Sequence, residues 1–128
     1  MHLEAGLGFI VSKVVGHFSD ELAAQMCKEC SAVIARDREV FVYHDWGQMT
    51  SYDSLARARL TRWAISNRTE AKTVTIWTSS SLVRMGVATA SLALSLVGIH
   101  VTTCESAAQF ASLVAAVRAG KKQANLMR

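Results

Sequence analysis

The sequence predicts one α/β domain: a mostly parallel sheet of four to five strands, with four helices in alternating order. Three observations carry that expectation. Runs rich in β-branched and aromatic residues alternate strictly with runs of helical periodicity. The segments between them are short, with no linker, repeat or low-complexity stretch. The chain has 128 residues and no proline, and it is 51% hydrophobic and 19% charged, a globular composition of one domain's length. A domain of that size buries a core without disulfides or metal.

Taken in order, LGFIVSKVVGHF (7–18) reads as a strand. SDELAAQMCKECSAVIARD (19–37) reads as a helix. Ser19 is its cap, Asp20 and Glu21 lie in its first turn and Arg36 near its end, and Leu22, Met26, Cys30, Val33 and Ile34 form one face. EVFVYHDW (39–46) is the second strand, and SYDSLARARLTRWAISN (51–67) is a helix opening at Ser51 or Asp53. TVTIWTSS (73–80) is the third strand. SLVRMGVATASLALSLVG (81–98) is a helix with Gly98 as its C-terminal stop. IHVTTC (99–104) is the fourth strand, and ESAAQFASLVAAVRAG (105–120) is a helix closed by Gly120. The domain is expected over 1–120, with KKQANLMR (121–128) as a basic tail that frays. HDWGQMTSYDS (44–54) is read as a strand-to-helix connection.

Composition excludes several function classes. MHLEAGLGFIVSK lacks a basic n-region and a long apolar h-region, and three cysteines are an odd number. Both point to the cytoplasm. Met85 to Cys104 is uncharged, but its apolar helical part ends at Gly98, too short for a comfortable span, so no membrane is expected. Residues 1–54 hold 4 basic and 8 acidic residues, net −4; residues 55–128 hold 10 and 2, net +8; together they give +4. The basic residues are dispersed and lack interleaved aromatics, which argues against nucleic acid as partner.

The chemical constellations are few. Cys27 and Cys30 have redox spacing but lie two turns into a helix, with Cys30 on its apolar face, so the reading is structural. No cofactor and no metal site are expected. His44 and Asp45 are adjacent on a strand and must point to opposite faces, and no nucleophile elbow exists, so an enzyme built on them is disfavoured. Ser79, Ser80, Ser81 and Arg84 could offer an anion site at a helix start. Arg59 projects from the apolar stripe Tyr52, Ala56, Leu60 and Trp63 of its helix, flanked by Arg57 and Arg62. Its expected partner is Asp45 or Asp53. The third helix is apolar or small nearly all round, so it packs either on another chain, including a second copy through residues 82–97, or under the last helix and the tail.

The element order and one motif resemble STAS domains, the SpoIIAA-like fold of anti-sigma factor antagonists. In that family a hydrophobic strand ends near an Asp or Asn, and Asp-Ser-(Ser/Thr)-Gly then opens a helix. VFVYHDWGQMTSYDSLARARL falls into this frame, with Asp45 at the strand end and Asp53-Ser54, eight positions on, as the Asp-Ser. Leu55 stands at the family's phospho-acceptor position and Ala56 at its glycine. The family's initial strand is missing or very short here, within MHLEAG. The resemblance implies a non-enzymatic bacterial regulatory module acting by protein–protein contact with a regulator- or kinase-type partner. The residues expected to carry that contact or a switch are Asp45, Asp53, Ser54, Arg57, Arg59 and Arg62. The rival class is a small-ligand or anion sensor using strand ends and helix N-termini.

Overall fold

The computed structural model describes the backbone of residues 1–126 and the side chains of 1–120. Its strands are β1 (His2–Gly6), β2 (Phe9–Phe18), β3 (Phe41–Tyr52), β4 (Thr73–Thr78) and β5 (His100–Cys104). Its helices are α1 (Asp20–Asp37), α2 (Ser54–Ser66), α3 (Ser81–Leu96) and α4 (Ala107–Leu126). The sheet runs β1-β2-β3-β4-β5, with β1 antiparallel to β2 and the other pairs parallel. The expected alternation holds, and the short initial strand exists as β1.

Strand periodicity divides the molecule into two faces. Val42, His44 and Trp46 of β3 bury with Ile10, Val14, Val74 and Ile76 beneath α1, α2 and α3. Tyr43, Val11 and Trp77 point the other way and pack with Cys104, Phe110 and Val114, where α4 lies. Stepwise parallel crossovers of one hand place the first three helices in one layer. α4 crosses the opposite face, where Arg118 pairs with Glu4 on β1.

The helix ends follow their sequence signals. Ser19 Oγ accepts the Leu22 N–H at 3.2 Å, and Ser80 Oγ accepts that of Val83 at 3.4 Å. Gly98, at φ 86°, follows α3 in the left-handed conformation open to glycine. Met26, Cys30 and Val33 are buried on the inner face of α1 as the spacing requires.

Three expectations change. Residues 44–52 are not a connection: β3 continues through them to Tyr52, because β2 offers a parallel edge as far as Phe18. Gly120 does not close α4, whose backbone continues to Leu126. A glycine inside a helix lowers stability but does not by itself end it. The remainder of the expected tail, 127–128, and the side chains of 121–128 lie outside the described residues. Finally, α4 does not cover α3 among the described residues, since it packs on β3, β4 and β5 from the opposite face.

Candidate functional site

The carboxyl ends of β2 and β3 and the first turns of α1 and α2 converge. Gly16, at φ 79°, sits where the β2–β3 register shifts, and such a bulge re-aims the following side chain. His17 then faces β3. Its Nδ1 lies 2.7 Å from Ser51 Oγ and its Nε2 lies 2.8 Å from Asp53 Oδ1. Asp53 Oδ2 accepts the backbone N–H of Asp20 at 3.0 Å. Asp20 in turn takes Arg59 in a two-pronged contact, Nε to Oδ1 at 2.7 Å and Nη2 to Oδ2 at 2.9 Å.

The electrostatics follow from these contacts. The His17 hydrogen bond, then the Asp20 N–H, hold the Asp53 carboxyl below the usual carboxylate range. The Arg59 guanidinium does the same for Asp20. Arg59 therefore finds Asp20, not Asp45 or Asp53. Both Asp53 oxygens are already engaged, with His17 and the Asp20 N–H, and Asp45 lies on the other face of β3, whereas Asp20 in the first turn of α1 offers both of its oxygens to α2. The charge asymmetry between the two halves of the chain is partly spent in cis, through Arg59–Asp20 and Arg118–Glu4.

Ser51, His17 and Asp53 share the connectivity of a nucleophile, base and acid. Yet His17 and Asp53 are about half exposed, at 50% and 43% of their side chains. Nucleophile activation and oxyanion stabilisation act strongly in water-excluded sites. Asp53 also spends its second oxygen on the backbone of α1. The physical role of the cluster is a clasp joining β2, β3, α1 and α2. Sequence reasoning missed His17. The signal that reveals it is the parallel pairing His17↔Ser51, a long-range fact.

The other expected site residues are dispersed. Ser54 is exposed at the start of α2, beside Leu55, which is 66% exposed. Ala56, at the family's glycine position, is fully buried. Arg57 turns to the inner side of α2, and Arg62 is exposed on α2 near the Asp20 carboxylate. Asp45 lies on the opposite face of β3 from His44 and accepts the Gly47 N–H at 3.2 Å. Ser79 Oγ donates to the Gly47 carbonyl at 2.6 Å, so Asp45 and Ser79 meet at that glycine. Ser80 caps α3, Ser81 is exposed as its first residue, and Arg84 Nη2 reaches the Thr78 carbonyl at 3.4 Å. The groups suggested for an anion site are largely engaged with the protein's own backbone.

The outer face of α3 is different. Leu82, Met85, Leu92 and Leu96 are 53, 68, 72 and 87% exposed, with exposed Thr89 between them. The spacing is three, four, three, four, the heptad pattern of a helix seam. Val83, Gly86, Val87 and Leu94 occupy the buried face. The hydroxyls of Thr89, Ser91 and Ser95 bond to the carbonyls of Met85, Val87 and Leu92, so the helix presents little free polar capacity outward. Arg84 is the sole charge of α3.

In sequence, no family model and no curated protein matches the chain. In structure, it is similar to a DUF3478-family protein with a SpoIIAA-like fold from Shewanella loihica PV-4. The TM-score is 0.62 at 15% identity, over 88% of this chain and 90% of that one. It is also similar to the anti-sigma factor antagonist SpoIIAA in its unphosphorylated form. There the TM-score is 0.59 at 11% identity, over 91% of this chain and 96% of that one. The chain has the SpoIIAA-like fold. Among the described residues no helix is long and apolar enough to cross a membrane.

Proposed function

We propose that the chain is a non-enzymatic regulatory interaction module of the cytoplasm, and that it self-associates through the outer face of α3. The observation that carries this reading is the heptad-spaced apolar ridge Leu82, Met85, Thr89, Leu92 and Leu96. An exposed contiguous apolar patch of this kind marks an interaction surface. The ridge is nearly palindromic about Thr89. In an antiparallel two-fold contact Leu82 faces Leu96 and Met85 faces Leu92, with Thr89 at the axis. That self-complementarity is what a closed isologous dimer requires, and it favours a second copy as the occupant. A single charge on the helix leaves little like-charge repulsion between copies.

The clasp around Asp53, with Ser54, Leu55 and the arginines of α2, is the surface proposed for a further protein partner of regulator or kinase type. The exposed leucine at the family's phospho-acceptor position favours constitutive contact over a phosphorylation switch. The sensor alternative gains less support, because Ser79, Ser80 and Arg84 are bonded in cis.

Thr89→Cys tests the arrangement. Under mild oxidation it is expected to give a disulfide-linked dimer, whereas cysteine at the exposed outer position Ser66 on α2 gives none. Equal cross-linking at both positions, or none at Thr89→Cys, overturns the reading.

A further inference from the structure

A cavity of about 90 Å³ lies between the sheet and the helices of the three-helix face. Its origin is legible in residue size. Ala56 and Ala64 are the buried residues of α2, and α3 contributes Gly86 and Ala90, so both helices turn small groups inward. The floor is apolar, with Met49, Val74, Ile76 and Leu94 in it. Arg57, Leu60 and Thr61 of α2 and Ala90 and Ser91 of α3 also line the space, and all five are only half-buried. The cavity therefore opens between α2 and α3.

The polar side chains at that opening are few. The hydroxyls of Thr61 and Ser91 are spent on the carbonyls of Arg57 and Val87. Two stronger heads stay free. Arg57 is the one charged side chain of the lining, and unlike Arg36, Arg59 and Arg118 it has no carboxylate partner among the described residues. Tyr52 also lines the cavity, and its hydroxyl lies against α3 at Gly86. That hydroxyl makes no hydrogen bond among the described residues, yet it keeps surface open to solvent. Capping geometry brings the two side chains together. With Asp53 as N-cap, Tyr52 precedes the cap and Arg57 is the fourth residue of α2. Side chains at those two positions pack on each other across a helix start.

We infer that this cavity binds a short-chain alkyl carboxylate, its chain between the apolar walls and its carboxylate at the mouth on Arg57, with the Tyr52 hydroxyl as a second donor. Each half of the ligand answers one observation. Apolar walls with a few convergent polar groups are the usual form of a small-molecule site. The methylenes of a half-exposed arginine can form wall while its guanidinium stays in water. A guanidinium takes a carboxylate through two parallel N–H bonds. One cation suits a monoanion, and no carboxylate lines the space to repel it among the described residues. At about 30 Å³ per water-sized group the cavity takes roughly three methylenes, which sets a short chain. The inference does not depend on the outer ridge of α3, which lies on the opposite side of that helix.

Pentanoate is the probe. Acetate lacks the chain, pentan-1-ol lacks the charge, and pentan-1-amine reverses it. The readout is the backbone and arginine Nε–H resonances in a nitrogen–proton correlation spectrum. Pentanoate is expected to move the Arg57 Nε–H and the amides of Ala90 and Ser91 saturably. The amides of Phe110 and Val114, which pack on the other face of the sheet, stay in place. Acetate, pentan-1-ol and pentan-1-amine bind about tenfold more weakly or not at all, through loss of the apolar contact or of the charge-assisted bond. Arg57→Gln weakens pentanoate by about tenfold and leaves the binding of pentan-1-ol unchanged, which separates loss of the cation from loss of the fold. Tyr52→Phe weakens pentanoate by about threefold. Unsaturable shifts, movement centred on the exposed Arg62 or Arg68, pentan-1-ol or pentan-1-amine binding as tight as pentanoate, or pentanoate bound undiminished by either substitution overturns the proposal.

Discussion

His17 Nε2 and Asp53 Oδ1 stand 2.8 Å apart, although the two residues are separated by 36 positions in the chain. The same carboxylate holds the first N–H of α1. Asp53→Ala is therefore expected to lower the melting temperature at pH 7. Ser54→Ala, one position on and exposed, is expected to leave it nearly unchanged. Because the folded carboxyl is held below its ordinary range, its contribution is complete above about pH 4 and is lost as the pH falls through the folded value. Melting curves of the wild type and Asp53→Ala should differ at pH 7 and converge in strong acid. Equal melting at pH 7 would show that the clasp is ornamental.

His44 predicts a second acid effect in a different pH window. Its folded pKa of about 3 lies below the unfolded value near 6.5, so the unfolded chain takes up a proton that the folded one does not. Stability is then complete above about pH 6.5 and declines as the pH falls toward 3. Between pH 7 and pH 5 the loss is about 2 kcal/mol, at about 1.4 kcal/mol per unit. Urea titrations at the two pH values measure it. The double substitution Ser12→Ala/His44→Leu removes both partners of the buried hydrogen bond and should abolish that slope.

Gly86 brings α3 close against Tyr52 at the end of β3. A Cβ there would stand 2.4 Å from Tyr52 Oη and 2.8 Å from Cζ. Gly86→Ala gains helix propensity but overpacks this contact, and a net destabilisation of about 1–3 kcal/mol is expected by urea denaturation. A stabilised variant would mean that the Tyr52 ring swings aside without cost.

The thiols give a third chemical handle. Burial pushes Cys27 up to about 11 and Cys30 up to about 12. The thiolate is the reactive form, so both should resist iodoacetamide at pH 8 in the folded protein and react readily in urea. Mass spectrometry after a short exposure checks this. Fast native labelling of both would contradict the structural reading of the CKEC stretch.

The legibility of the molecule in its sequence divides by range. The elements of 7–37 could be read because Ser19, the acidic first turn and the apolar spacing of α1 are local signals. The second aspartate of the Asp45–Asp53 frame was legible as the entry to α2, where it is the N-terminal cap residue. The length of β3 was not, since Gly47, Thr50, Ser51 and Asp53 look like turn residues, and only the parallel edge of β2 draws 47–52 into the sheet. Arg59 was rightly singled out as needing a carboxylate. Which carboxylate depended on how α1 and α2 pack, which no wheel of one helix contains. His17 was invisible for the same reason: the bulge at Gly16 and the His17↔Ser51 pairing exist only once the sheet has formed. The all-round apolar character of α3 was visible at once. That its outer half stays uncovered among the described residues followed only from the placement of α4 on the other face.

Light scattering coupled to size-exclusion chromatography tests the central claim most directly. The chain has a mass of 13.9 kDa. The account predicts a species of twice that mass at high concentration, dissociating on dilution, and a monomer when Leu92→Glu and Leu96→Glu are combined. Both positions are exposed, so the double variant should keep the wild-type fold by circular dichroism. A wild-type chain that stays monomeric at every concentration, or a dimer that survives the two glutamates, would contradict it.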